Sequence, residues 1–155
     1  MADCDFANRF LAFYLYKDKY YGYLDEFMGE ALGEINKMSQ LEIEDLLNVF
    51  DQSMKVCYQL LGNTAFKRPD PKKTGGFLKI NKAIFEVLSV SIAKLSISEQ
   101  QSLTIKKELF RNSIHALFTQ EDFIKSCTSG TAKIPQVEYR HIQVQQLIKD
   151  IISND

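Results

Sequence analysis

The chain has 155 residues, 45% of them apolar and 25% charged, which fits one soluble globular domain large enough to bury a core. No apolar run approaches ~18 residues, and the opening MADCDFANRF lacks a basic region followed by an apolar one, so neither a transmembrane span nor a secretory signal is expected. Net charge is −1, but residues 1–62 carry 11 acids and 5 bases (net −6) whereas residues 63–155 carry 9 acids and 14 bases (net +5). This is the pattern of an anionic partner for the second part, or of two parts that attract each other.

Periodicity is helical nearly throughout. Phe6, Phe10 and Phe13, flanked by Leu11 and Leu15, make a first short amphipathic segment. After KDKYYGY, the residues Leu24, Phe27, Met28, Ala31, Leu32, Ile35 and Met38 follow the i, i+3, i+4, i+7 rule. Ile43, Leu46, Leu47, Phe50, Met54, Cys57 and Leu61 repeat it, and Gly62 is placed to end that helix in a left-handed conformation. The short joint around Ser39 predicts an antiparallel hairpin of these two helices.

Residues 63–78 form the one long irregular connection. From about Ile80 to Leu95 the chain is apolar on most sides (Ile84, Phe85, Val87, Leu88, Val90, Ile92, Leu95), as a helix in the middle of a bundle should be. Ser98-Glu-Gln-Gln101 and Thr119-Gln-Glu-Asp122 resemble capping boxes. They open a helix through Leu103, Phe110, Ile114 and Leu117, then a short one through Phe123, Ile124 and Cys127. Pro135 suits the first turn of a last helix along Val137, Val144, Leu147, Ile148 and Ile151. The expected fold is all-α: a compact bundle of about six or seven helices in one domain, with one long basic loop.

Catalytic groups are sparse. Three cysteines (Cys4, Cys57, Cys127) form no CxxC pair and read as reduced core thiols in a cytoplasmic protein. Glu26, Glu30 and Glu34 fall on one helix face, but a carboxylate metal site wants Glu-x-x-His pairs facing inward, so a solvated face is the better reading. His115 has no metal-ligand companion, and neither a GxSxG nor a metal-finger spacing occurs. The stretch FKRPDPKKTGGFLKINK has six Lys or Arg against Asp70 alone. Its KKTGG is not a Walker-type loop, since the order is wrong and no strand precedes it. It remains either a phosphate-contacting patch or a solvated loop. Arg140 falls on the apolar stripe of the last helix beside His141, and Arg9 borders the Phe6/Phe10/Phe13 stripe. Each either clamps helix ends through hydrogen bonds or points into a cleft.

The series RFLAFYL, YLDEFMGEALGEIN, LLGNTAFKRP, INKAIFEVLSV, TSGTAK and VEYRHIQVQQLI resembles the helical region of the GmrSD-type family, also catalogued as domain of unknown function 262. The resemblance spans nearly the whole chain. It implies a prokaryotic defence system of modification-dependent restriction factors, whose ParB/sulfiredoxin-like N-terminal domain carries a DGQQR-type motif and often precedes an HNH-type nuclease domain. Neither motif is present, so the chain is expected to be the helical part of a longer parent or a truncated relative, non-catalytic and without a cofactor or bound metal. Arg9, Phe66, Arg68, Asn81, Lys82, Phe85 and Arg140 match recurring family positions. Phe66 would pin the loop, and Asn81 and Lys82, at a helix start, would favour an anion. Lys67, Arg68, Lys72, Lys73, Lys79, Asn81 and Lys82 are the expected contacts to double-stranded DNA or to the parent's catalytic domain. The alternative is a helical interaction or oligomerisation domain that uses the Phe6/Phe10/Phe13 face.

Overall fold

The computed structural model describes residues 2–153. Among them are eight helices: α1 (Ala2–Tyr16), α2 (Leu24–Ile35), α3 (Gln40–Leu61), α4 (Lys82–Ala93), α5 (Ile97–Ile105), α6 (Lys107–Leu117), α7 (Glu121–Thr128) and α8 (Ile134–Ser153). The described residues contain no strand, only an isolated bridge between Pro69 and Phe77. Among the described residues no helix is long and apolar enough to cross a membrane.

Helix α4 is the axis of the bundle. It is buried from Ala83 through Ile92 without a break, because α1, α3, α7 and α8 all pack on it. Asn81 starts it: the side-chain oxygen accepts from the Ala83 and Ile84 amides at 2.9 Å each, which satisfies two of the donors that a helix start leaves open. Serines allow close approach at the α3–α4 crossing. Buried Ser53 donates to the Ser89 carbonyl at 2.7 Å and Ser89 donates to the Phe85 carbonyl at 2.6 Å, so neither hydroxyl is left bare.

Two apolar clusters meet at α4. One is built from α3 to α8; the other joins Phe10, Ala12 and Phe13 of α1 to Phe27, Met28 and Ala31 of α2, with Phe85, Val90 and Val137. Phe10 and Phe13 are 0% exposed, and Phe6 packs edge-on against Phe85 at 4.8 Å between ring centroids. The aromatic stripe of α1 is therefore core, and an oligomer surface there is overturned.

Several sequence expectations change in detail. Helices α2 and α3 do not form a packed hairpin; α2 lies on α1 while α3 lies on α4. The single helix expected through Leu103 and Leu117 is two, because Lys106 leaves the helical basin (φ −91°, ψ 25°). That break raises the helix count to eight. The box at the start of α5 is Ser96 with Glu99, two residues before the one expected, and both reciprocal bonds form. No side chain caps α7; Thr119 instead donates back to the Ala116 carbonyl at 2.7 Å. Gly62 ends α3 with a positive φ of 56°, although its ψ of −140° lies outside the left-handed helical basin. Pro135 does fall in the first turn of α8. Cys57 and Cys127 are core thiols, whereas Cys4 is exposed. Burial pushes the Cys57 thiol up to about 12, which keeps it protonated and unreactive.

Helix α2 holds two glycines, Gly29 and Gly33, with ordinary negative φ and nothing within 4 Å of where a Cβ would sit. Each replacement by alanine is expected to stabilise the chain by about 0.5–1 kcal/mol, by removing unfolded-chain entropy without a clash. Additive rises of the thermal midpoint in Gly29→Ala, Gly33→Ala and the double variant check this; a drop in either single variant contradicts it.

Candidate functional site

The most concentrated polar chemistry lies inside the bundle, where Glu86 of α4 joins three helices. Its Oε2 accepts from Arg9 Nε of α1 at 2.8 Å and pairs with Arg9 Nη2 at 2.8 Å. Its Oε1 accepts from Arg140 Nε and Nη2 of α8 at 3.1 and 2.7 Å and lies 3.0 Å from His141 Nε2. Arg140 Nη1 also donates to the carbonyls of Ser126 (3.1 Å) and Thr131 (2.7 Å). One guanidinium thereby ties α8 to the end of α7 and to the loop that follows.

Two guanidinium groups share one carboxylate here. The carbonyl end of α7 supplies part of the missing negative charge, since the last carbonyls of a helix carry its negative pole. Beside Arg9, the Phe13 ring lies 6.0 Å from the guanidinium carbon, a cation–π contact. Burial alone would raise the Glu86 pKa, but the His141 hydrogen bond and the charges of Arg140 and Arg9 outweigh it and hold the carboxyl below its ordinary value. Burial lowers the His141 pKa, and the opposing pull of Glu86 does not reverse it. A neutral His141 that donates through Nε2 leaves Nδ1 as a buried nitrogen without a partner.

This cluster resembles an active site in composition, but not in access. Glu86 and Arg140 are 0% exposed, His141 1% and Arg9 5%, so no substrate reaches them without opening of the bundle. What the arrangement does chemically is to lock α1, α4, α7 and α8 in one register. For Arg140 the clamping alternative is the one realised. Arg9 clamps as well, to a carboxylate in the middle of α4 rather than to a helix end.

The second candidate is the basic loop, which is ordered by its own backbone. Phe66 adopts a positive φ of 65°; its carbonyl accepts from the Asn81 amide at 2.9 Å, and its ring packs edge-on against Phe85 at 4.8 Å. The pin expected at Phe66 is present. Beyond it, the Leu78 amide donates to Arg68 O (3.0 Å) and the Asp70 amide to Gly76 O (2.9 Å). The Asp70 carboxylate accepts from the Lys72 amide at 2.9 Å. Lys72, Lys73 and Lys79 are exposed, and Lys67 and Arg68 half-buried. Among the described residues none of these five forms an ion pair.

Asn81 and Lys82 do not join them. The Asn81 oxygen occupies the Ala83 and Ile84 amides that an anion would need, and its Nδ2 donates to the Cys127 carbonyl at 2.9 Å. Lys82 pairs with Asp5 of α1. Both act in holding α4, so the expected anion seat at its start is corrected. His115 is exposed, 6.3 Å between ring centroids from Phe77.

No family model matches this chain, and no curated protein or solved structure matches it either. Among the described residues, no group of three or more His, Cys, Asp or Glu could hold a metal ion. The residue that sequence reading missed is Glu86. Its signal was present: a carboxylate in the middle of a helix apolar on all sides must be paired, and arginines on two other apolar stripes were waiting for a partner.

Proposed function

We propose that the chain is a non-catalytic helical module of a GmrSD-like restriction protein and that it contacts duplex DNA through the basic loop. The observation that carries this reading is the set of five cations with no ion pair among the described residues, Lys67, Arg68, Lys72, Lys73 and Lys79, on a loop held in one shape by Phe66 and its backbone bonds. A pre-ordered loop loses little entropy on docking, and clustered cations need only reach successive phosphates. The motif order from RFLAFYL to VEYRHIQVQQLI supports the family assignment. The sealed state of the Glu86 cluster supports a non-catalytic role for this segment.

Fluorescence anisotropy of labelled duplex DNA, titrated with the chain across salt concentrations, tests the proposal. The expected result is binding that weakens steeply with salt, roughly 0.9 in log–log slope for each phosphate contacted. Charge reversal at Lys67, Arg68, Lys72 and Lys73 together should abolish it and leave the helical circular dichroism unchanged. Binding that survives this variant removes the loop from the role. Absence of binding at low salt favours a second reading, a protein-interaction module with no nucleic-acid role, for which the exposed start of α3 speaks.

A further inference from the structure

Helix α3 is 22 residues long, yet every fully buried residue on it lies in its second half: Ser53, Val56, Cys57, Leu60 and Leu61. The first half overhangs the body. Val49, Phe50 and Met54 pack on the α1 cluster. The same apolar stripe continues outward through Leu46 and Ile43, which are half-buried, to Leu47, which is 56% exposed. The neighbouring helix in sequence does not cover this stretch, since α2 packs on α1. An apolar stripe that runs on past its own core is an unfilled half of a helix–helix contact.

Charge narrows what can fill it. Glu42 falls on one side of the Ile43/Leu46/Leu47 stripe and Glu44 and Asp51 on the other by the 3.6-residue turn, Asp51 in an ion pair with Lys55, whereas Asp45 lies on the back of the helix. Residues 24–51, which include α2, carry eight acids (Asp25, Glu26, Glu30, Glu34, Glu42, Glu44, Asp45, Asp51) and one base, Lys37, for a net −7. A second copy docked through the same face would bring two such acidic rims together, and DNA would be repelled outright. We infer that the overhanging half of α3 is a docking surface for a cationic amphipathic helix of another protein, whose apolar side chains meet Ile43, Leu46 and Leu47 while its Lys or Arg side chains face Glu44 and Asp51. This is helix-against-helix recognition with acidic flanks as the selective element, and it is independent of DNA contact at the opposite-charge loop.

A synthetic amphipathic helix of leucine and lysine, fluorescently labelled, serves as the probe, with its leucine–glutamate counterpart as the charge-reversed control. The full chain is expected to bind the first and not the second. Leu47→Ser, and separately Glu44→Lys with Asp51→Lys, should each weaken binding about tenfold or more. Glu121→Lys with Asp122→Lys, the same charge change on exposed positions of α7, should weaken it less than about twofold. Circular dichroism of all variants should be unchanged, because the substituted side chains are exposed or half-exposed. Equal loss from the α7 pair would mean unspecific charge attraction and overturn the inference, as would no binding at all. Sedimentation that shows a concentration-dependent dimer abolished by Leu47→Ser would replace the cationic helix with a second copy and overturn it too.

Discussion

Glu86→Ala is expected to cost about 3–5 kcal/mol of folding free energy, the range for removing one partner of a buried ionic group. The substitution leaves Arg9 and Arg140, 5% and 0% exposed, without a carboxylate inside the bundle. Arg140 keeps its bonds to Ser126 and Thr131, whereas among the described residues Arg9 keeps only the Phe13 ring. Since whole domains are stable by only about 5–15 kcal/mol, this variant should unfold at a much lower urea midpoint or fail to fold at 37 °C. The companion experiment replaces all three groups by apolar residues of similar length, Arg9→Met, Glu86→Met and Arg140→Met. That variant should be closer to wild type than Glu86→Ala alone, because no charge then remains buried, although the carbonyls of Ser126 and Thr131 lose a donor. A loss below about 1 kcal/mol in Glu86→Ala would show that the cluster does not hold the helices. Equal losses in the two variants would show that packing, not charge, is what Glu86 provides.

The fold class was legible because the apolar period of 3.6 is written plainly into nearly every element, and α4 could be placed at the centre from its apolar circumference alone. What a period cannot give is the neighbour. The stripes of α2 and α3 both needed cover, and adjacency in sequence made them look like each other's partners; in the structure α1 covers α2, and the outer half of the α3 stripe is only partly covered, with Leu47 56% exposed. Lys106 carries no Pro or Gly signal, so the α5–α6 break was invisible; there its amide donates to the Ser102 and Thr104 carbonyls and its ammonium to the distant Ile151 carbonyl at 3.1 Å. Ser96 and Ser98 stand two residues apart, and both are followed at three residues by a Glu or Gln. Only the geometry picks Ser96, whose Glu99 reaches back to its amide at 2.7 Å.

The candidate site divides in the same way. Phe66 and the loop cations were readable because Pro, Gly and Lys clusters mark exposed turns. Arg140 was readable as an anomaly, a guanidinium on an apolar stripe. Glu86 was a second such anomaly, a carboxylate in an apolar helix, but that the two pair across 54 residues of chain leaves no local trace. Asn81 was read as the mouth of an anion site when its type already named another role. Asparagine before a helix most often fills the open amides itself, and here it does.

The buried cluster also makes stability depend on acidity, with both of its titrating members acting in the same direction. His141 sits below its ordinary value of 6.5 because burial disfavours the imidazolium, with the positive charges of Arg140 and Lys17 adding to that. The unfolded chain therefore takes up a proton on His141 at higher pH than the folded chain does. Where the unfolded state binds more protons, stability rises with pH. The contribution of neutral His141 is complete above about 6.5 and is lost as pH falls toward its lowered folded value. Glu86 is also held below its ordinary 4.5, so its stabilisation is present above that value and is lost as pH falls through the folded one. The urea midpoint should thus begin to fall near pH 6.5 and fall again below about 4.5, each step no steeper than about 1.4 kcal/mol per pH unit for one proton. His141→Gln, whose amide can still donate to Glu86 but does not titrate, should erase the upper step and leave the lower one. An upper step that persists in that variant would assign it to a group outside the cluster. A midpoint that rises on acidification from pH 6.5 would show that Glu86 holds His141 charged in the folded chain, the reverse of the burial argument.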